Sequence, residues 1–300
     1  MALNFSASRA VFWWQPRAWL RAEGEDAASF LQGQFTNDLR NSDERGVYGL
    51  WLNQKGKVVA DSFVLRGAER GAWGIGSYFS AGETIRERLE AYVIADDVTL
   101  IDETSGWRGV TLGGRTEEWG EVSERLRGAG AWALRARRGA GEWSEWAFPA
   151  GMQADVEAWC ADAEVLTEQQ MERLRIEAGI PAIPRDVGAT DLPNEAGLEK
   201  VAISYTKGCY LGQEVMARLK AMGQVRRRVR RVHGDGPVPV APTPLWQGER
   251  AVGELRSVAA TESGFVGLGM CALLHLREGE PVQIGGAGGA NAMVDGDAAE

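Results

Sequence analysis

The segment Lys207-Gly-Cys-Tyr-Leu-Gly-Gln-Glu214 places one of only three cysteines directly after a glycine and three residues before another. A thiol becomes a nucleophile, a redox group or a metal ligand where its surroundings favour the thiolate. The preceding Val201 to Tyr205 stretch is β-prone, whereas Leu211, Val215, Met216, Leu219 and Met222 recur at helical spacing, which predicts a strand-turn-helix corner with the helix over 210–222. Cys209 would then stand at or next to a helix N-terminus. There the unpaired amide N–H groups and the positive end of the dipole favour a thiolate, and Lys207 would add a positive charge. Such surroundings lower a cysteine pKa from about 8.5 towards neutrality. The structural alternative is that Gly208 and Gly212 permit tight backbone packing around a small buried Cys209.

Other residue types narrow the chemistry. Cysteines at 160, 209 and 271 are odd in number and far apart, so neither a disulfide framework nor a CxxC metal pattern is present. His233 and His275 are too few and too separated for a self-evident zinc site, and no stably bound metal or cluster is expected. Seven basic residues and no acidic one lie between Arg218 and Arg231, leaving a net charge of −16 on the rest of a chain whose total is −9. Val225, Val229 and Val232 interrupt the arginines, which suggests a strand with arginines on a solvated face. The strip lacks interleaved aromatics, and an acidic remainder repels phosphate, so RNA binding is a weak reading and DNA binding is not expected. An anionic ligand is a third reading, with Arg226, Arg227 and Arg228 as candidate contacts.

The motif, continuing as far as Arg228, closely resembles the signature of the YgfZ-type folate-binding proteins, relatives of the glycine-cleavage T-protein, an aminomethyltransferase. Phe30-Leu-Gln-Gly-Gln-Phe-Thr-Asn-Asp-Leu39, Asn53-Gln-Lys-Gly-Lys-Val-Val-Ala-Asp61 and Arg175-Ile-Glu-Ala-Gly-Ile-Pro181 resemble further blocks of the family in the same order, so the resemblance covers roughly residues 20 to 270. It implies a tetrahydrofolate cofactor or a one-carbon derivative, and a role in maintaining or assembling iron–sulfur enzymes, a tRNA-methylthiolating enzyme among them. Expected partners are therefore folate and iron–sulfur enzymes or their assembly proteins. In the motif, Lys207, Gly208, Tyr210, Gly212, Gln213 and Glu214 accompany the candidate thiol Cys209.

The resemblance also marks folate residues. Glu177 aligns with the glutamate that T-proteins use for the pterin, whose amino group and ring N–H a carboxylate can accept side by side. Its structural alternative is an i,i+4 ion pair with Arg173, worth a few tenths of a kcal/mol. Asp61 falls where T-proteins place an essential aspartate, and otherwise is a strand residue facing outward. Some relatives carry an aromatic that could stack on the pterin where this chain has Met171, which can cover an apolar ring face. The glutamate tail of a folate would suit the Arg226–Arg228 strip.

The elements that must hold these residues predict an α+β fold, with T-protein-like modules of mixed and antiparallel sheets and a small C-terminal antiparallel β-barrel. Strands are expected over 13–22 and 97–101, a hairpin over 46–66 turning near Asn53 to Gly56, and a helix over 82–92. Strands over 107–112, 132–137 and 143–148 alternate with helices over 117–127 and 154–160. Thr167 and Gln170 form a capping box for a helix ending at Ala178-Gly179. The expected division is residues 1–234 for the folate-binding region, with 102–165 mostly in its second module, 235–285 for the barrel and 286–300 as a disordered tail rich in glycine and alanine. No apolar run approaches the ~18 residues of a membrane span, the start lacks a signal-peptide pattern, and a cytoplasmic protein is expected. Three functions stay open: an iron–sulfur accessory factor using Cys209, a tetrahydrofolate-dependent aminomethyl or methyl transferase using Asp61, and a tRNA- or protein-binding module without chemistry.

Overall fold

Pro16, which has no N–H to give to a ladder, breaks the stretch expected as one strand over 13–22. A computed structural model, describing residues 9–67 and 71–297, instead has β1 (Ala10–Trp14) and β2 (Ala18–Glu23), which enter different sheets. The described residues form two compact units. The first draws on Met1–Ala136, Gly141–Leu166 and Glu199–Ala217, the second on Arg137–Ala140, Thr167–Leu198 and Arg218–Glu300.

In the first unit, α1 (Ala27–Gln34) follows β2, and β3 (Val47–Leu52) and β4 (Val58–Arg66) form the expected hairpin. After β5 (Trp73–Ser77) come α2 (Gly82–Glu90), β6 (Thr99–Asp102), β7 (Trp107–Gly113), α3 (Gly120–Gly128), β8 (Trp132–Leu134), β9 (Trp143–Pro149), α4 (Gln153–Trp159) and β10 (Glu164–Val165). One antiparallel sheet runs β3-β4-β5-β2-β6, and a mixed sheet runs β10-β1-β7-β9-β8, with β10 parallel to β1. Tryptophans link them: Trp19 of β2 stacks on Trp107 of β7 at 4.3 Å, and Trp14 of β1 meets Tyr78, just past β5, edge-on at 5.0 Å. Trp19 and Trp51 are core residues, and β3, which carries Trp51, is buried along its whole length.

The second unit begins with α5 (Glu168–Glu177), which carries the expected capping box: Thr167 Oγ1 accepts from Gln170 N, and Gln170 Oε1 accepts from Thr167 N. Arg175, inside α5, is fully buried, donating to Glu172, Asp186 and Ser257. The chain then re-enters the first unit for a short helix α6 (Glu199–Ala202) and the first half of α7 (Gln213–Met222), and from Arg218 belongs again to the second, with β11 (Arg227–Asp235), β12 (Thr243–Gln247), β13 (Arg250–Ala260), β14 (Gly264–Ala272), β15 (Val282–Ile284) and β16 (Asn291–Asp297). These six strands close an antiparallel barrel in the order β11-β14-β13-β12-β15-β16. Val232, Leu245, Val252, Leu255, Phe265 and Cys271 fill it.

Three expectations change. The barrel starts at Arg227 rather than 235, because the arginine strip is its first strand. The expected disordered tail contains β16, whose buried Ala292 and pairing with β11 and β15 supply the order that its composition conceals; residues 298–300 lie outside the described residues. The β-prone Val201 to Tyr205 is no strand: α6 ends at Ala202 and irregular backbone follows.

Candidate functional site

Cys209 lies in the irregular segment between α6 and α7, four residues ahead of Gln213, the first residue of α7. The helix-terminus argument therefore loses its geometry, since dipole effects fade within the first turn. The buried-filler alternative fails too, because Cys209 is exposed whereas Cys160 and Cys271 are buried. Burial pushes the Cys160 thiol up to about 11 and the Cys271 thiol up to about 12.

Lys207 is not the thiol's solvated neighbour. Its side chain is 5% exposed, and its Nζ donates to the carbonyl oxygens of Gln32, Phe35 and Asn37 at 2.6, 2.5 and 3.1 Å. Burial pushes its ammonium down to about 8. On the other side of Cys209 the Tyr210 ring is buried, 5.3 Å from the Lys207 Nζ, and burial raises its phenol. Gly212 has φ +86°, and a Cβ there would stand 3.0 Å from Asn53 O. Gly56, φ +68°, meets Val215 equally closely. Gln213 is half-buried and its N–H donates to Tyr210 O at 3.2 Å, while Gly208 and Glu214 are exposed. Three sequence blocks thus converge: the motif rests on residues 32–37 at one end and on the Asn53 to Gly56 turn at the other.

Asp61 is buried in β4 rather than facing outward. Its Oδ1 accepts from Ser77 Oγ at 2.9 Å and Ser80 Oγ at 2.7 Å, its Oδ2 from Tyr48 O–H at 3.0 Å, and its own N–H donates to Ser80 Oγ at 3.1 Å. The strand, its hairpin partner and the β5–α2 loop therefore hold one carboxylate in a set orientation. Sequence reasoning missed Tyr48, Ser77 and Ser80, because common hydroxyl residues carry no signal until β5 is paired beside β4. A cleft in the same unit, lined by Asp43, Leu65, Arg66, Arg127, Trp132 and Trp146, contains none of the expected site residues.

Glu177, in the second unit, makes the i,i+4 pair: Arg173 Nε donates to its Oε1 at 2.7 Å. Its side chain is 28% exposed and its Oε2 accepts no hydrogen bond among the described residues. One carboxylate oxygen is therefore taken by Arg173 and the other is left open. Met171, on the same helix, is buried.

The arginine strip departs from expectation. Arg227 Nε and Nη2 donate to Glu195 at 3.0 Å each, and Nη2 also donates to Asp191 at 3.1 Å. Arg230 pairs with Glu278 and Arg231 with Asp295. Arg228 is half-buried with a partner of its own, which leaves Arg226 as the exposed member of the three candidates. The acidic residues that neutralise the strip are remote in sequence, so the candidate anion site at Arg226–Arg228 is largely closed by internal pairing. Among the described residues no three His, Cys, Asp or Glu side chains gather to hold a metal ion, and no helix is long and apolar enough to cross a membrane.

Comparison with known proteins places this geometry. Residues 226–294 match the family model of the CAF17 C-terminal beta-barrel domain, the same stretch that closes the barrel. The mitochondrial iron-sulfur cluster assembly factor IBA57 of Mus musculus is 28% identical over 75% of this chain and 66% of its own length, and that of Homo sapiens 28% identical over 93% and 83%. The chain thus spans just under two thirds of the mouse protein. The tRNA-modifying protein YgfZ of Edwardsiella ictaluri is 29% identical over 71% of this chain and 67% of its own length. The aminomethyltransferase T of the glycine cleavage system from Bartonella henselae superposes with a TM-score of 0.76, at 18% identity, over 95% of this chain and 84% of that one. The chain is thus similar to the YgfZ-type proteins and has a T-protein-like fold.

Proposed function

We propose that this chain is a tetrahydrofolate-binding accessory protein for the assembly, maintenance or repair of iron–sulfur enzymes, tRNA-modifying ones among them, with Cys209 as its working thiol. The observation that carries the reading is the exposure of Cys209 between two buried neighbours, Lys207 and Tyr210. A thiol on an anchored, solvent-facing segment suits exchange with a sulfur or cysteine on another macromolecule, where a pocketed thiol would suit a small substrate. The names of the relatives, an iron–sulfur cluster assembly factor and a tRNA-modifying protein, support the same reading.

The folate candidates stand in separate units: Glu177 in the second, with its open carboxylate oxygen, and Asp61 in the first, with its oriented carboxylate. Tetrahydrofolate, when bound, supplies a carrier for one-carbon units. The chain's own part is to accept a pterin N–H at the open Glu177 Oε2 and to hold the Asp61 charge in place through Tyr48, Ser77 and Ser80. That hydroxyl-held Asp61 also favours a second reading, aminomethyl or methyl transfer, which would make Asp61→Asn the decisive loss.

The test is the activity of a [4Fe–4S] tRNA-methylthiolating enzyme in cells lacking the protein, restored with wild type or Cys209→Ser, beside titration of both purified proteins with 5-formyltetrahydrofolate. Rescue by wild type alone, with equal folate affinity, is expected. Full rescue by Cys209→Ser overturns the role of the thiol, and undiminished activity without the protein overturns this client. Unchanged folate affinity in Glu177→Gln removes Glu177 from the folate contact.

A further inference from the structure

The position two residues before the thiol is a buried lysine. An ammonium has three N–H donors and no acceptor. The three carbonyl oxygens around the Lys207 Nζ match that number, and all come from one short stretch, Gln32 in the last turn of α1 and Phe35 and Asn37 just beyond it. The segment is itself braced: Gln32 Nε2 donates to Asp38 Oδ1 at 2.9 Å, and Gln32 Oε1 accepts from Leu39 N at 2.9 Å. Asp38 in turn is gripped by Arg40.

The chain ahead of Lys207 is stitched to the same segment. Thr36 Oγ1 donates to Ala202 O at 2.7 Å, Ser204 N donates to Thr36 O at 3.0 Å, and Asn37 Nδ2 donates to Val201 O at 3.4 Å. Lys207 is the last of these anchors before the thiol. After it, Gly208 and Cys209 are exposed, and the backbone is caught again by buried Tyr210 and by Gly212 against the Asn53 to Gly56 turn. A two-residue bridge between two anchors is short enough for either anchor to decide where its side chain stands.

We propose that Lys207 is a positioning residue for Cys209, its ammonium plugging the carbonyl cage of residues 32–37 and so fixing the exposed Gly208-Cys209 bridge from which the thiol meets a partner. This rests on Cys209 being the working thiol. It also gives the Phe30 to Leu39 block a task, presentation of three carbonyls to one cation. Arginine does not substitute, because its planar fork cannot direct three N–H groups into a cage that surrounds a tetrahedral head.

The experiment attaches a methanethiosulfonate nitroxide to Cys209 of the full chain at pH 7, where the two other cysteines are buried. Wild type is expected to give a broadened, motionally restricted spectrum. Lys207→Ala and Lys207→Arg should each shorten the label's correlation time by about threefold, on the nanosecond scale of loop motion. In Lys207→Ala, n-propylammonium should restore the restricted spectrum, and tetramethylammonium, equally charged but without N–H donors, should not. A restricted spectrum in Lys207→Ala or in Lys207→Arg, or equal rescue by both cations, overturns the proposal. Should Lys207→Ala not fold, Lys207→Arg carries the test. Failure of the iron–sulfur reading would show separately, as full cellular rescue by Cys209→Ser with the label's immobilisation untouched.

Discussion

Gly212→Ala tests whether the motif is held as the structure describes. The residue has φ +86°, and an alanine Cβ would stand 3.0 Å from Asn53 O, 3.2 Å from Gly56 Cα and 3.3 Å from Leu52 Cβ. Two of those atoms belong to a turn closed by Gly56 N donating to Asn53 O at 2.9 Å and Asn53 N donating to Lys57 O at 3.0 Å, so they cannot yield as a flexible side chain would. An L-residue in the left-handed region costs about 1–2 kcal/mol, and overpacking adds about 1–3 kcal/mol. The lower entropy of the unfolded alanine chain returns about 0.4–1 kcal/mol. The net expectation is a loss of about 1–5 kcal/mol. Gly208, three residues before Gly212's neighbour Leu211, is the internal control: no atom lies within 4 Å of a Cβ there and its φ is outside the left-handed region, so Gly208→Ala should stay within about 0.5 kcal/mol of wild type. Urea unfolding followed by tryptophan fluorescence measures both. Equal midpoints for wild type and Gly212→Ala, or a loss in Gly208→Ala as large as in Gly212→Ala, would refute the packing argument.

Iodoacetamide at neutral pH should modify Cys209 in the native protein and reach Cys160 and Cys271 only after unfolding, because burial holds both those thiols protonated; native-state label on Cys271 by mass spectrometry would contradict this. Burial places Lys207 at about 8, below its ordinary 10.5, so the folded chain sheds this proton at lower pH than the unfolded chain. The stability that follows from the neutral amine is fully present above 10.5 and is lost as pH falls through about 8. Asp38 pulls the other way and the three carbonyls favour the ammonium, so wild type should gain about 1–3 kcal/mol relative to Lys207→Met between these limits, read from urea midpoints across pH. A pH-independent difference would show that the lysine keeps its ordinary proton affinity. Ser80→Ala removes both the bond to Asp61 Oδ1 and the acceptor for Asp61 N–H, and should cost about 1–3 kcal/mol with weakened 5-formyltetrahydrofolate binding; unchanged stability and affinity would detach the hydroxyl set from Asp61.

What the sequence discloses here is set by how far each residue's partners lie along the chain. The capping box of α5 and the β3–β4 hairpin are made of neighbours, and periodicity and turn chemistry reveal them. The barrel is legible in β13, β14 and β15, where glycines punctuate short apolar runs, whereas the prolines around β12 and the glycine-rich composition around β16 conceal those strands. Strand β5, Trp-Gly-Ile-Gly-Ser, is not legible either, since every residue is buried and two are glycines, which erases alternation. Lys207 is the sharper case. Read locally, its charge belongs beside Cys209; in the fold, the carbonyl of Gln32, 175 positions away, turns that charge inward. The arginines of β11 follow the same logic, with carboxylates at 191, 195, 278 and 295 meeting them. A charged side chain in sequence therefore advertises a ligand only until a remote partner is found for it. Cys209 differs in kind: among the described residues its side chain makes no hydrogen bond, and it faces solvent while the residues on either side of its bridge are buried. A buried cation is a poor way to gain stability, because desolvation offsets much of what its hydrogen bonds return. Its placement two residues before an unengaged thiol therefore bears on the geometry of that thiol more than on the energy of the fold.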